Sequence, residues 1–182
     1  MLAQLVKTFS ADSLKTFLSG LPTCLIMEGL AIVSKGLEET ASAEIKELVG
    51  ARCTTESSCV VFNFGKFEDL CLLCYKSQSI DRALLLLGSF TFSDFFAQLE
   101  GSIKKAGIGK WVDGKAFSVE CLRIGIHDFR SVDVEEKAAP LIAKKCKGST
   151  ISLKNSDVKI FFYVNGAKCY FGIDFAGFEL NT

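Results

Sequence analysis

Residues 117–133 read Phe-Ser-Val-Glu-Cys-Leu-Arg-Ile-Gly-Ile-His-Asp-Phe-Arg-Ser-Val-Asp. Phe117, Val119 and Cys121 alternate with Ser118, Glu120 and Leu122, the period of a strand. The pattern then breaks. Arg123, Gly125, His127, Phe129 and Arg130 follow, and Ser131 or Asp133 opens a helix. Strand, glycine loop and helix start together could hold an anion, the loop giving guanidinium groups and the helix start free N–H donors. The plainer reading pairs these arginines with Asp128 and Asp133, as surface ion pairs of little energetic weight.

Outward from that stretch, the distribution of charge says more than its total. The 182 residues carry 21 Lys and Arg against 21 Asp and Glu, so the net charge is zero. Residues 1–100 hold 8 cations and 12 acids, whereas residues 101–170 hold 13 and 7. A basic block inside a neutral chain predicts one positive face. With 49% hydrophobic residues the chain can build one large or two small cores. No apolar run reaches the ~18–20 residues that span a bilayer, and Lys7, Asp12 and Lys15 interrupt the first 26 residues. Eight cysteines without regular spacing fit a reducing, cytoplasmic setting better than a disulfide framework.

Residues 1–28 are an N-terminal helical extension in this reading. Leu2, Leu5, Val6 and Phe9, then Leu14, Phe17, Leu18 and Leu21, mark two short amphipathic turns that end at Pro22. They either pack on the body or lie upstream of it, since Met27 stands before the first clear strand. Residues 29–92 form a small α+β unit. A strand at Leu30–Ser34 leads through Gly36 to a helix over Leu37–Val49. Strands at Arg52–Thr55 and Cys59–Phe64 follow, then helices at Phe67–Tyr75 and Ile80–Leu87 and a last strand at Ser89–Phe92. The order β-α-β-β-α-β is the ferredoxin-like one.

Residues 93–182 form a second unit. Ser93 is the expected N-cap of a helix to about Ala106, with Phe92 and Phe96 as its staple. Gly107–Gly114 reads as a loop, and a helix from about Asp133 to Lys147 should kink at Pro140. Thr150–Leu153 is a short strand. Val158–Val164 and Lys168–Phe175 make a hairpin about Asn165-Gly166, which predicts a type I′ turn with both residues at positive φ.

Four further groups carry alternatives. Cys71 and Cys74 have metal-like spacing but lie in an apolar helical run, which favours core packing over zinc. His127, the one histidine, suits a hydrogen bond to phosphate or to the neighbouring loop better than catalysis. Trp111 beside Lys110 either stacks on a base or anchors a loop. Lys144, Lys145 and Lys147 close a helix, where cations favour the negative dipole end; RNA contact is their other reading.

Arg123-Ile-Gly-Ile-His127-Asp-Phe129-Arg-Ser131, Leu153-Lys154-Asn155-Ser156-Asp157-Val158 and Phe171-Gly-Ile-Asp174 together resemble the THUMP domain. Upstream, Lys35-Gly36-Leu37-Glu38 and Ile80-Asp-Arg82-Ala83-Leu84 resemble the ferredoxin-like domain that precedes THUMP, as in tRNA guanine-N2-methyltransferases. Ser156 departs from the family's usual proline and Pro140 from a frequent glycine.

The resemblance implies a module that binds tRNA, possibly rRNA, and positions its acceptor end for a catalytic methyltransferase domain or partner enzyme. Arg123, His127, Arg130, Lys154 and Asn155 are the expected RNA contacts, with Lys110, Lys115 and Trp111 behind them. Neither a catalytic residue nor a metal ligand is assigned. No glycine-rich SAM loop or Asn/Asp-Pro-Pro-Tyr/Phe motif occurs in these residues, so SAM is expected in a domain beyond this chain. A stand-alone THUMP adaptor, or a protein-interaction module that never meets RNA, are the competing expectations.

Overall fold

The computed structural model describes residues 26–175, so the two N-terminal amphipathic turns expected from sequence lie outside the described residues. The chain is α+β and divides into two compact units. The first comprises residues up to Leu85 together with the stretch from Asp174; the second runs from Leu86 to Ile173. This division lies inside the strand Arg82–Thr91, ahead of the boundary expected after Phe92, and Asp174 returns to the first unit.

The first unit is built in the order β1 (Met27–Ile32), α1 (Glu38–Val49), β2 (Arg52–Glu56), β3 (Cys59–Phe64), α2 (Phe67–Lys76) and the start of β4 (Arg82–Thr91). Its strands lie in the order β2-β3-β1-β4, and each neighbouring pair is antiparallel. Ala41 and Ile45 of α1, Phe67, Leu70 and Leu73 of α2, and Val60, Phe62 and Phe64 of β3 are buried. Gly29 pairs with Phe62 across β1 and β3, and a Cβ there would lie 2.3 Å from the Phe62 ring. Only glycine lets that ring lie on the strand.

The expected helix at Ile80–Leu87 is instead the first part of β4. Ala83, Leu84 and Leu85 are all buried, and β4 pairs with β1 from Arg82 to Leu85. Leucines favour helices intrinsically, but this run lacks the polar face an amphipathic helix needs, and burial on both sides decides for a strand. The separate strand expected at Ser89–Phe92 is the second part of the same element.

Carboxylates close the loops of this unit. Glu38 accepts the N–H groups of Ser58 and Gly36, each at 2.8 Å, and the Ser58 bond does most to hold its carboxyl below the usual range. Glu44 is pushed up by burial, yet bonds from Ser79, Gln78 and Ser77 outweigh this and hold it low. Arg82 and Asp174, both buried, form an ion pair within the unit. They come from two of the motifs that suggested the family, far apart in sequence.

The second unit holds the rest of β4, α3 (Phe95–Lys105), α4 (Gly109–Val112), β5 (Ala116–Ile124), α5 (Ser131–Lys145), β6 (Thr150–Ile151), β7 (Val158–Asn165) and β8 (Lys168–Asp174, whose last residue belongs to the first unit). The strand order is β4-β8-β7-β5-β6, with β5 parallel to both β7 and β6. Phe117, Ile160, Phe162 and Phe171 are buried, and the rings of Phe162 and Phe171 stack at 5.3 Å. A Cβ on Gly88 would meet the Phe171 ring at 2.8 Å, the second strand glycine that seats a phenylalanine.

Several boundaries differ from expectation. Asp94, not Ser93, caps α3, its carboxylate accepting the Ala97 N–H at 3.2 Å. Phe92 therefore packs on Phe95, ring to ring at 5.0 Å, rather than stapling to Phe96. Part of the Gly107–Gly114 loop is the short α4, and β6 is only two residues long. Helix α5 starts at Ser131 and continues through Pro140 to Lys145. The C-terminal carbonyls of α3 receive a cation: Lys145 Nζ donates to Ile103 O at 2.7 Å, to Lys104 O at 2.6 Å and to Ala106 O.

The hairpin turn is displaced by one residue. Asn165 pairs with Ile124 as the last residue of β7, which holds it extended, so the two-residue loop is Gly166-Ala167. Only Gly166 has positive φ, +55°, the pattern of a turn with glycine first rather than type I′. On the other side of β5, β6 pairs only at Ala116 and Phe117. From Ser118 onward that edge has no strand partner among the described residues. The Glu135 carboxylate of α5 accepts the Cys121 N–H there, at 3.0 Å.

Candidate nucleic-acid interface

The C-terminal ends of the parallel strands β5 and β7 lie together, the usual location of ligand sites in open parallel sheets. The chain leaves β5 through Gly125, whose φ of +106° only glycine adopts freely. That turn is fastened to the hairpin at two points. The Gly166 N–H donates to Ile124 O at 3.1 Å, and His127 Nε2 lies 2.8 Å from Gly166 O. A carbonyl only accepts, so Nε2 donates the proton, and Nδ1 is buried without a partner. His127 thus binds the neighbouring hairpin loop, one of its two expected roles.

Beneath this loop lies an aromatic floor. The guanidinium carbon of Arg123 is 5.5 Å from the centre of the Phe129 ring. Phe129 in turn packs on Phe95 at 4.6 Å, Phe96 at 5.4 Å and Phe92 at 6.2 Å. Stacking on a ring fixes the plane of the guanidinium without consuming its donors. Arg123 Nε is buried and unpartnered, and Arg123 has no carboxylate partner among the described residues. Neither Asp128 nor Asp133 neutralises it. The phenylalanines were legible as core but not as the support of an arginine, because they come from three separate elements.

Arg130 behaves differently. Its Nη2 lies 2.8 Å from Asp133 Oδ1, and its backbone N–H donates to Asp133 Oδ2 at 2.7 Å. These bonds hold the Asp133 carboxyl down at about 2 and raise the Arg130 guanidinium. The start of α5 is therefore occupied by the protein's own carboxylate rather than open to an external anion.

The remaining expected contacts gather at the other end of β5. The Lys154-Asn155 loop is tied to the strand start: the Asp157 N–H donates to Ala116 O at 2.7 Å, and Ser118 and Ser156 hydroxyls are 3.0 Å apart. The Asn155 N–H donates to Ser152 Oγ at 3.2 Å. Lys110 and Lys154 are exposed; Lys115 is partly covered, and burial lowers its ammonium against the opposing pull of Asp157. Trp111 is 6% exposed, the geometry of a loop anchor, and offers no open face to a base. At ~3.3 Å per residue, β5 separates the two basic groups by about 26 Å. One nucleotide cannot touch both.

Among the described residues no cluster of three His, Cys, Asp or Glu could hold a metal. Burial pushes the Cys74 and Cys121 thiols up to about 12, far from a thiolate nucleophile. No described helix is long and apolar enough to cross a membrane.

The THUMP domain family model matches residues 95–174. This stretch is a THUMP domain. The tRNA (guanine(6)-N2)-methyltransferase of Archaeoglobus fulgidus is 26% identical over 173 residues, covering 90% of this chain and 42% of that protein. The tRNA sulfurtransferase of Aeromonas hydrophila is 34% identical over 77 residues, covering 42% of this chain and 15% of that one. The crystal structure of TrmN from Thermus thermophilus superposes with a TM-score of 0.66 at 22% identity, over 85% of this chain and 47% of its own, and shows the same fold. The chain spans less than half the length of each of these relatives.

Proposed function

We propose that this chain is a tRNA-binding module whose THUMP domain meets the acceptor end at the loop Arg123–Arg130. The observation that carries this reading is the nature of the relatives. One is named for methyl transfer and another for sulfur transfer, and both names specify tRNA. Two chemistries sharing one stretch of sequence have the RNA in common, not the reaction. Arg123 supplies a guanidinium without a carboxylate partner among the described residues, set over the Phe129 ring, and Lys154 and Lys110 give a second basic group along β5.

The first unit, in the order β-α-β-β-α-β, serves in this proposal as the ferredoxin-like companion of THUMP. Similarity to the archaeal methyltransferase runs over 90% of the chain, whereas the sulfurtransferase covers 42%. That extent favours a SAM-dependent guanine-N2-methyltransferase domain, beyond these residues, as the enzyme served. An adaptor acting with a separate enzyme is the second reading, and methyl transfer by the full-length protein to guanine N2 of tRNA separates the two.

The binding reading is tested by tRNA affinity across a salt series. Arg123→Ala should weaken binding and reduce the slope of log affinity against log salt by ~0.7–0.9, one phosphate contact. Arg123→Lys should recover less than its charge suggests, because an ammonium lacks the planar fork. Arg130→Ala should do less than Arg123→Ala, since Asp133 already occupies that guanidinium. A curve for folded Arg123→Ala that overlays the wild type removes this loop from the RNA site.

A further inference from the structure

Ile126 stands at the apex of the Arg123–Arg130 loop with its side chain fully exposed, at 103% of the reference area. A β-branched residue at a loop tip has no packing reason to be there, and water-facing loop tips favour small or polar residues. The tip is also firmly held. Gly125 turns the chain before it, His127 is bound to Gly166 O directly after it, and the Gly166 N–H holds Ile124 O below it. The loop therefore presents Ile126 to solvent more fully than the partly exposed Leu122 and Ile124 before it, with Arg123 three residues before and Arg130 four after.

These features decide between kinds of partner. A stable protein contact buries roughly 800 Å² on each side and depletes charge at its centre. Ile126, with the partly exposed Leu122, Ile124 and Val132 near it, falls well short of that area, and Arg123 and Arg130 set cations among them. A nucleic acid offers the complement, flat apolar base faces at a spacing set by an anionic backbone. Aliphatic wedges set against bases are an established device of such interfaces.

We propose that Ile126 packs against the face of a nucleobase at the end of the acceptor stem, while Arg123 holds a neighbouring phosphate. The proposal rests on the tRNA-binding reading above and adds to it a base-contacting residue. The contact is apolar, so its contribution does not depend on counterion release. That property separates it from every basic residue of the loop.

The test uses the 182-residue chain and two RNAs, an intact tRNA and the same tRNA trimmed of its unpaired 3′ nucleotides. With intact tRNA, Ile126→Ser should weaken binding by about tenfold, at the lower end of single-base stacking contacts. Its salt slope should equal that of the wild type. Ile126→Phe should bind at least as well as the wild type. With trimmed tRNA the wild type and Ile126→Ser should bind alike. The melting temperature of Ile126→Ser should not change, because the side chain is fully exposed, so lost binding cannot be ascribed to unfolding.

If wild-type and Ile126→Ser curves overlay on intact tRNA, or if both RNAs lose affinity equally, the wedge is overturned while tRNA binding stands. A wild type that binds neither RNA overturns the tRNA-binding reading and this proposal with it.

Discussion

The two units use similar parts and differ in how they treat one buried or half-buried arginine each. In the first unit the strand pairs are antiparallel, loops return directly, and Glu38 and Glu44 turn inward to take the loop N–H groups. Its buried cation, Arg82, is matched by Asp174. In the second unit parallel strands bring loop ends together, and Arg123 stands there on an aromatic floor with no carboxylate partner among the described residues. The difference teaches where to look for an external anion: at the cation to which its own unit supplies no carboxylate among the described residues.

The most severe way to break the comparison is to unbalance the first unit. Asp174→Ala leaves Arg82 buried without its counterion and should cost ~3–5 kcal/mol in urea unfolding. Arg82→Met combined with Asp174→Leu should recover most of that loss, because removing both charges also removes their desolvation cost. Failure of the double variant to improve on Asp174→Ala would show that the pair's other contacts matter more than its charge.

Next come the two strand glycines. Gly29→Ala drives a Cβ to 2.3 Å from the Phe62 ring, whereas Gly88→Ala approaches Phe171 only to 2.8 Å. Both rings are buried and cannot swing away. Each substitution should cost ~1–3 kcal/mol by overpacking, with Gly29→Ala the worse. Reversal of that order in thermal melts would place the softer packing in the first unit. Gly166→Val, a β-branched residue forced to positive φ, should cost a similar ~1–3 kcal/mol by a different route, strain rather than crowding. Thermal melts of Gly166→Val measure this, and an unchanged melting temperature would mean the turn can relax.

Much of this was legible from the sequence. Amphipathic spacing located α1, α2, α3 and α5, and alternation located β5, because each has a polar side. The Leu84–Leu87 run was misread because a strand buried on both faces has no period to reveal it. The turn was misplaced by one residue because Asn165 is held by Ile124, a partner 41 positions earlier. The expected site residues were chosen by charge and motif, which cannot say that β5 holds Lys154 and Arg123 at opposite ends. Likewise nothing local to Arg82 or Asp174 announces that they meet.

The smallest expected effect tests Asp133, the carboxylate that occupies the start of α5. Its folded pKa, about 2, lies below the ordinary range, chiefly through its bonds to Arg130. The stabilisation is therefore complete above the unfolded value near ~3.9 and is lost as pH falls through about 2. Asp133→Asn should melt slightly below the wild type from pH 5 to 8, and the gap should close in acid. A gap that persists unchanged at pH 2 would assign the effect to the asparagine side chain instead.

The Glu135 carboxylate on the Cys121 N–H has a consequence for how copies of the molecule treat one another. A strand edge with free donors is a template on which another chain can lengthen the sheet. Here a foreign strand aligning along β5 would find the Cys121 donor already taken and a carboxylate in its path. One acidic side chain reaching from a helix thus takes a donor from this half-covered edge and sets a carboxylate against the addition of a foreign strand there.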